Sequence, residues 1–312
     1  MMVITDAPDL PPGRLPAVNA WRPATREELT PGDSMLLEAL GSGRALRVGD
    51  VADPGARDFW ARLMIVSEAP SSQFDILQDL LRRGKPLPGP VACLALEGRN
   101  FRGHRGHSWM AFAGNLHLCL AFPASGLPVR LSAALTMMPA VAVAGAVRDL
   151  CGATIRPGIK WVNDIMVEGR KLGGVLTATQ VLGDVFTHVL FGIGLNVAVA
   201  PPLEPSRFVA GTASLNEFRS DLTLADTLGA VLRHIEKYYG KLMRWEAGAV
   251  LEDYRAASVI LGREVCVWEE DDAEGPSAVP LFRGVVRAIL PDLSLQLEGV
   301  DQPVTRGRLS LP

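Results

Sequence analysis

The sequence predicts an α+β fold in which a mixed or antiparallel sheet is flanked by helices and followed by a small C-terminal β-barrel. Short apolar runs such as 63–66 and 91–96 are typical of buried strands, whereas residues 73–81 show the amphipathic period of a helix. After residue 257 the pattern changes to several short alternating segments, which is typical of a small barrel. These changes divide the chain into an N-terminal extension (1–58), a central domain (59–257) and a C-terminal β domain (258–312).

The N-terminal extension carries weak structural signals. Residues 1–20 are rich in Pro and Asp and are expected to be frayed. Residues 21–58 show a weak helical pattern that Gly41, Gly43 and Gly49 interrupt. A cramped helix-turn-helix would need a basic recognition helix, which this segment lacks, so we predict no specific DNA binding.

The central domain is predicted to contain both strands and helices. Ser72, followed by Asp75 three residues later, is typical of a capping box at the start of the 73–81 helix. Glu168-Gly169 predicts a tight turn between the two arms of a β-hairpin. The other predicted elements are strands at 63–66, 91–96, 115–122 and 185–197, hairpin arms at 159–167 and 171–177, helices at 131–150 and over most of 223–257, and C-terminal strands at 264–268, 282–289, 294–297 and 304–309.

Bulk composition indicates an ordinary soluble globular protein. Hydrophobic residues make up 48% and charged residues 21% of the 312 residues, and a net charge of −3 gives no general attraction to nucleic acid or anionic membranes. The N terminus lacks the pattern of a signal peptide, and the longest apolar stretch (131–147) contains Pro139 and Gly145 and is expected to be too short to span a membrane. Four separated cysteines indicate reduced thiols in a cytoplasmic protein: Cys93, Cys119, Cys151 and Cys266.

A basic loop at 98–109 separates two predicted strands. The loop carries three arginines, two histidines and no acidic residue. Its glycines allow the backbone to approach a ligand closely. Because guanidinium groups match carboxylate and phosphate oxygens, the loop is suited to wrapping an anion. A solvated hairpin tip is the alternative interpretation. His104 and His107 lack an evident third partner, which disfavours a metal site.

The predicted hairpin holds two lysines and an Asn-Asp pair in otherwise apolar strands. Lys160 and Lys171 could address the same face, and charges in such a place are costly unless they are paired or used. Gly173-Gly174 indicates close approach of a ligand or of another backbone. The alternative is a Lys–Asp ion pair that only closes the hairpin.

A third segment, 192–197, repeats this theme. Gly192 and Gly194 alternate with apolar residues, so that both lie on the same side of a strand together with Asn196. The pattern would suit a ligand-facing surface, and it would equally suit a crowded sheet face.

Taken in order, these segments resemble the catalytic domain of biotin protein ligases. The resemblance covers roughly residues 60–250 and is most specific in the hairpin. It rests on Ser71-Ser72-Gln73, on 102–109 with Gly114-Asn115-Leu116, on Lys160-Trp161-Val162-Asn163-Asp164 with Lys171-Leu172-Gly173-Gly174-Val175-Leu176, and on Gly192-Ile193-Gly194-Leu195-Asn196-Val197. It implies a class II synthetase-like sheet, and the C-terminal strands resemble the SH3-like domain of such ligases.

The resemblance implies ATP-dependent ligase chemistry. A carboxylic acid, with biotin favoured, reacts with ATP and Mg²⁺ to give an acyl-adenylate, and a lysine of a carrier-protein domain then takes the acyl group. The expected partners are the acid, ATP and the carrier domain, and a homodimer is a further expectation. Neither a membrane nor specific DNA is expected as a partner. Two other hypotheses stay open: a ligase for lipoate, octanoate or another acid, and a binding protein that has lost the chemistry.

The family pattern also implies roles for individual residues. Ser72 could instead cap its helix, and Trp109 and Trp161 could simply pack in the core. The implied catalytic residues are Lys171 and Arg102; the acid would contact Ser71, Ser72, Gln73, Gly173, Gly174 and Trp109; the nucleotide would contact Arg102, Gly103, His104, Arg105, Gly106, Trp109, Lys160, Asn163, Asp164 and Asn196; and Asp164 would help to hold Mg²⁺.

The departures from the family pattern cluster around the acid and the basic loop. Phe101 stands where the family has Gly, His104 and His107 stand where it has Arg, and Val162 replaces Pro. The helix start is Ser-Ser-Gln rather than Ser-Thr-Asn, and the Gln that would bind the ureido ring is not found upstream of the loop. The adenylate-binding hairpin therefore matches the family better than the acid-binding residues do.

Overall fold

A large mixed sheet and a small antiparallel sheet organise the chain. The computed structural model describes residues 1–7, 17–25, 27–42, 45–51, 59–103, 106–124, 126–269 and 279–311. The strands are β1 (Met2–Thr5), β2 (Arg22–Pro23), β3 (Arg47–Asp50), β4 (Arg62–Ala69), β5 (Val91–Gly98), β6 (Leu116–Pro123), β7 (Gly158–Lys160), β8 (Asp164–Val167), β9 (Arg170–Leu182), β10 (Val185–Leu195), β11 (Glu264–Trp268), β12 (Phe282–Ile289), β13 (Leu295–Leu297) and β14 (Arg308–Ser310). The helices are α1 (Pro31–Ala39), α2 (Gln73–Arg82), α3 (Ser132–Cys151), α4 (Leu224–Met243) and α5 (Ala247–Ala257).

The large sheet has ten strands in the order β2-β3-β1-β4-β5-β6-β10-β9-β8-β7. The β1–β4 and β4–β5 pairs are parallel and the others are antiparallel, so the predicted mixed α+β fold is confirmed. Strand residues alternate between two cores: Leu94 packs on the side of α3, α4 and α5, whereas Cys93 packs on the side of α1 and α2. Helices therefore cover both faces of the sheet.

The N-terminal residues depart from expectation. Met2–Thr5 is a strand between β3 and β4, and three of its four residues are buried, so the expected fraying of residues 1–20 is wrong for this part. The Pro- and Asp-rich composition begins only after this strand. α1 is the helix within the described part of residues 21–58, and β2 and β3 join the large sheet beside it. The extension is thus joined to the central sheet, and the division of the chain at residue 58 stays a prediction.

The central elements follow the predicted order with two local differences. No side-chain hydrogen bond from Ser72 caps α2, so the predicted capping box does not form. The first hairpin arm is two strands, because residues 161–163 turn the chain back and pair β7 with β8 in antiparallel register, Lys160 opposite Asp164. The predicted turn at Glu168-Gly169 then leads into β9, and both of its residues have positive φ.

α3 is the central helix of the fold. By length and composition the segment Val129–Cys151 could cross a membrane, but 67% of the apolar 18-residue window within it is buried inside the protein. Pro139 and Gly145 both lie within the helix. Apolar residues surround the helix on all sides, which is also the pattern of a core helix.

The C-terminal sheet has the order β13-β12-β11-β14 and is antiparallel throughout. Val304 forms an isolated bridge with Leu295 on one edge, and β14, which follows it, pairs with β11 on the other edge. The sheet therefore curves back on itself here, which supports the barrel expectation; the SH3-like identity stays a prediction.

Candidate active site

A cavity of about 1010 Å³ lies on the α2 side of the large sheet. Its walls come from the start of α2, the basic loop, the β7–β8 turn, β9, β10, the loop after β10 and the C-terminal sheet. Arg102 and Lys171 both line it, so the cationic loop and the lysine hairpin converge on one hollow as the sequence predicts. Six Lys or Arg and three Asp or Glu side chains line the cavity, a surplus of positive charge that suits an anionic ligand.

The two hairpin lysines face the cavity in different states. Lys160 is 5% exposed, and its ammonium group donates to the backbone oxygen of Phe208. Burial lowers the pKa of Lys160 to about 8, with Lys171 and Arg308 acting in the same direction and Asp164 opposing them. Lys171 Nζ lies 2.5 Å from Asp164 Oδ1. The ion pair offered as the structural alternative does form, and both partners nevertheless line the cavity.

Three hydrogen bonds fix the β7–β8 turn to β9 and to the C-terminal sheet. The Asn163 side-chain amide donates to the Val175 oxygen at 2.8 Å, and the Val175 N–H donates back to the Asn163 oxygen at 3.0 Å. Trp161 Nε1 donates to Leu293 O at 2.7 Å, which ties the turn to the C-terminal sheet. The Trp161 side chain packs in the core, as the sequence allows, and also lines the cavity. The peptide bond between Trp161 and Val162 is cis.

Glycines on β10 form the cavity floor. A Cβ atom on Gly194 would lie 2.5 Å from the Trp109 ring, and one on Gly192 would lie 3.0 Å from the Phe74 ring. Both sites therefore let an aromatic ring lie directly on the sheet, and all four residues line the cavity. Position 173 needs glycine for a different reason: an added Cβ atom would overlap the Gly194 oxygen and would push β9 and β10 apart.

Gly194→Ala should destabilise the protein, because the new methyl group overlaps the Trp109 ring. We expect a loss of about 1–3 kcal/mol in the free energy of unfolding, measured by urea denaturation. Gly248→Ala is the matched control: its Cβ meets nothing within 4 Å in helix α5, so the change should be neutral or stabilising. Equal effects of both substitutions would contradict this account of the cavity floor.

Trp109 is held by a buried histidine that the sequence did not single out. Trp109 Nε1 donates to His117 Nδ1 at 3.3 Å, and His117 Nε2 lies 3.0 Å from the Phe112 oxygen. Burial lowers the pKa of His117 to about 4. The ring is therefore neutral at pH 7, with its proton on Nε2 and its Nδ1 free to accept from Trp109. The signal available in the sequence was a polar residue inside the apolar strand 116–123.

Asn115, known from the sequence only as part of a Gly-Asn-Leu motif, organises the chain beyond β10. Its Oδ1 accepts from the N–H groups of Val197, Ala198 and Val199 at 3.0, 3.1 and 3.0 Å. Its Nδ2 donates to the Val199 oxygen at 2.8 Å. One fully buried amide thus satisfies four backbone groups and fixes where the next loop begins.

Other predicted site residues fall into three groups. Ser72 and Gln73 are buried and line the cavity, and the Gln73 side-chain amide donates to the His117 oxygen at 3.0 Å. Asn163, Asp164, Gly103 and Gly174 line it as well, whereas Gly106 lines a neighbouring cavity of about 570 Å³ that also contacts Arg102. His104 and Arg105 lie outside the described residues.

Three predicted residues do not reach the cavity. Ser71 and Gly173 are not part of its lining. Asn196 is 2% exposed and its side-chain amide donates to the Ala213 oxygen at 3.0 Å, so it supports the backbone next to β10. The alternation of Gly192, Gly194 and Asn196 placed all three on one side of the strand, but β10 ends at Leu195 and the backbone changes course there.

One wall of the cavity was missed entirely by sequence reasoning. It comprises Arg207 and Phe208 from the loop after β10 and Arg306 and Arg308 next to or within β14. These residues lie 36 or more positions after Lys171, and nothing local in the sequence connects them with it. The C-terminal sheet thus contributes to the site rather than being an appendage.

Comparisons with known proteins agree with this geometry. Residues 72–196 match the model of the biotin/lipoate A/B protein ligase family. Over 123 residues the chain is 34% identical to a biotin–[acetyl-CoA-carboxylase] ligase of Paracoccus denitrificans, covering 39% of this chain and 51% of the relative. Over 221 residues it is 28% identical to the Mycobacterium tuberculosis ligase of the same name, covering 68% and 77%. The chain therefore spans about half the length of the first of these relatives.

A solved structure shares the architecture. The biotin protein ligase from Aquifex aeolicus, in complex with biotin and ATP, superposes with a TM-score of 0.61 and covers 81% of this chain and 99% of its own. The identity is 19%, so this likeness concerns the fold. The matched family segment contains the basic loop, the lysine hairpin and the glycine strand. Over residues 72–196 this chain is therefore similar to the biotin/lipoate A/B protein ligase family.

Proposed function

We propose that the protein activates biotin with ATP to form biotinyl-AMP and transfers the biotinyl group to a lysine of a carboxyl-carrier protein domain. The observation that carries the proposal is the convergence of Arg102, Lys160 and Lys171 on one cavity of about 1010 Å³. That volume suits an acyl-adenylate, since pockets for ligands of this size span about 300–1000 Å³. Biotin is favoured over other acids because the named ligase relatives use it.

The first step joins two anions. A carboxylate oxygen attacks the α-phosphorus of ATP, the bond from that phosphorus to the bridging oxygen breaks, and pyrophosphate leaves. Lys160 and Lys171 place positive charge where the two anions meet, in a partly buried site where such charge acts more strongly than in water. Arg102, at the cavity rim, would close over the product and shield the mixed anhydride from hydrolysis.

Asp164 and Asn163 are the residues suited to a Mg²⁺ ion that accompanies ATP. Mg²⁺ usually binds one or two carboxylates together with substrate phosphates and water, so it does not need a complete protein cage. The described residues contain no cluster of three or more His, Cys, Asp or Glu, which fits an ion shared with phosphate. Asp164 and Asn163 would hold the ion, which would neutralise phosphate charge. Lys171, the ion-pair partner of Asp164, would face the α-phosphate beside them.

The acid would lie along the glycine floor. The rings of Trp109 and Phe74 supply apolar walls, and Ser72 and Gln73 offer polar atoms to the head of the acid. The Gln73 amide nitrogen is already used, so its side-chain oxygen remains to accept a hydrogen bond. In the second step the amine of the carrier lysine attacks the acyl carbon, an amide bond forms and AMP leaves.

Detection of the acyl-adenylate by mass spectrometry tests the proposal. The purified protein is incubated with Mg-ATP and, separately, with biotin, lipoate, octanoate or no acid. We expect biotinyl-AMP to form and the biotinyl group to move to an added carrier domain. An adenylate of lipoate or octanoate alone would show that the altered acid pocket has changed the substrate. Tight biotin binding without any adenylate would show a binding protein.

The rate constant kcat/KM for adenylate formation should fall as pH rises above about 8. Lys160 carries its charge below its folded pKa of about 8 and loses it above that value. The fall of kcat/KM at alkaline pH therefore reports the pKa of Lys160 in the free enzyme. Lys160→Arg should remove this limb, because arginine stays protonated throughout the range. A wild-type limb that persists in the arginine variant would assign it to another group.

Further expectations concern the surroundings of the protein. We propose that the enzyme is cytoplasmic. We also propose that it binds no specific DNA, because α1, the helix within the described part of residues 1–58, contains no Lys or Arg. A footprint on DNA at nanomolar protein would contradict this. A homodimer is proposed as the state to test, by sedimentation with and without biotin and ATP.

A further inference from the structure

The loop at residues 199–212, here called the cavity loop, is fastened to both cavity lysines. At its end, the Lys171 N–H donates to the Gly211 oxygen at 2.8 Å and the Ala213 N–H donates to the Lys171 oxygen at 2.9 Å. At its tip, the Phe208 backbone oxygen accepts from the Lys160 ammonium group. The course of this loop therefore determines how the two lysines sit relative to each other.

Phe208 is the anchor of the loop tip. Among residues 202–210 it alone is buried, at 7% exposure. Its ring lies under Arg308, whose guanidinium carbon is 3.8 Å from the ring centroid, and it meets the Trp268 ring edge-to-face at 6.4 Å. Arg308 and Trp268 both belong to the C-terminal sheet, and Trp268 Nε1 is itself held by Ser310 Oγ at 2.8 Å.

We propose that Phe208 and Arg308 are positioning residues for Lys160, through which the C-terminal sheet sets the place of this lysine in the cavity. The Phe208 ring holds the loop tip, and the adjoining carbonyl holds the ammonium group. Arg308 fixes the ring from the other side and adds a positive charge close to Lys160. The importance of this arrangement for catalysis rests on the proposed function, whereas the coupling itself does not.

The charged groups around Lys160 give the coupling a measurable sign. Burial is the largest influence and lowers its pKa; Lys171 and Arg308 lower it further and Asp164 raises it. Removing the charge of Arg308 should therefore raise the pKa of Lys160. Removing the Phe208 ring should do the same, because a loosened loop tip admits water to the ammonium group.

Pulse labelling with acetic anhydride, read by peptide mass spectrometry, measures the protonation of Lys160 without any substrate. The full-length protein is labelled from about pH 6 to about pH 11, a range that includes the ordinary lysine value. The exposed residue Lys85 normalises reagent activity. The variants are Arg308→Met and Phe208→Ala. The matched control is Arg207→Met, since Arg207 also lines the cavity from the same loop but stacks on Trp268 at 4.3 Å.

We expect the pH of half-maximal Lys160 labelling to rise by about one unit in Arg308→Met and Phe208→Ala, and to stay unchanged in Arg207→Met. Thermal unfolding confirms that each variant is folded, and Arg308→Met suffices if Phe208→Ala is not. An unchanged midpoint in Arg308→Met, or an equal shift in Arg207→Met, overturns the proposal. If the midpoints shift as expected while no acid yields an adenylate, the coupling stands and the proposed function fails. If an adenylate forms while the midpoints stay unshifted, the proposed function stands and the coupling fails.

Discussion

Lys171→Ala is expected to lower the rate of acyl-adenylate formation by about 10²–10³-fold, the usual effect of removing one preorganised group that stabilises charge in the transition state. Lys171 is three-quarters buried beside Asp164 and lines the cavity shared with Arg102. The substitution removes the cation that would meet the attacking carboxylate and the α-phosphate. It also leaves Asp164 as a nearby negative charge, which repels both substrates.

Single-turnover formation of radiolabelled acyl-AMP is the appropriate measurement, because it separates chemistry from product release. Lys241→Ala is the matched control. Lys241 forms a comparable ion pair, 2.9 Å from Asp253 between α4 and α5, but does not line the cavity. It should retain adenylate formation. A loss smaller than about tenfold in Lys171→Ala would remove this lysine from the reacting centre and leave Lys160 as the principal cation.

The fold could be predicted where strong local patterns exist. The buried strands β4, β5 and β6 appear in the sequence as short apolar runs, and α2 has a clear amphipathic period. The predicted bounds of these four elements therefore agree with the structure to within a few residues. β1 was missed because four residues at a chain end give too short a pattern, and a composition averaged over residues 1–20 concealed it. Its strand state comes from pairing with β3 and β4, which lie more than 40 residues further along the chain.

Prediction of the site is limited in the same way, to residues that give a strong local pattern. Lys160 and Lys171 are conspicuous because charged residues in apolar strands need a reason, and Arg102 because it lies in a basic, glycine-containing loop; all three line the cavity. Phe208 and Arg308 carry no such local signal, since a phenylalanine in a loop and an arginine in a strand are ordinary. Their relation to Lys160 arises only when the C-terminal sheet packs against the cavity loop. Asn196 shows the converse, because its position in a motif suggested a ligand while its contacts are structural.

Asn115→Ala is expected to produce the largest loss of stability among substitutions of polar residues near the cavity. Three N–H groups and one carbonyl group would lose their shared partner, and an unsatisfied buried group costs about 1–3 kcal/mol. Because Val199 is 40% exposed, water can replace part of this set. The free energy of unfolding, measured by urea denaturation, should therefore fall by about 2–4 kcal/mol.

Asn115→Asp separates the acceptor from the donor role. A carboxylate at this position still accepts from the N–H groups of Val197, Ala198 and Val199, an arrangement that stabilises its charged form. Its second oxygen replaces the amide nitrogen, however, and repels the Val199 oxygen. The variant should therefore recover part of the stability that Asn115→Ala loses. Since these residues lead directly into the cavity loop, Asn115→Ala should also weaken the hold on Lys160 and raise its labelling midpoint. Equal stability of the wild type and Asn115→Ala would show that the loop is held elsewhere, and equal loss in both variants would place the energy in the donor bond.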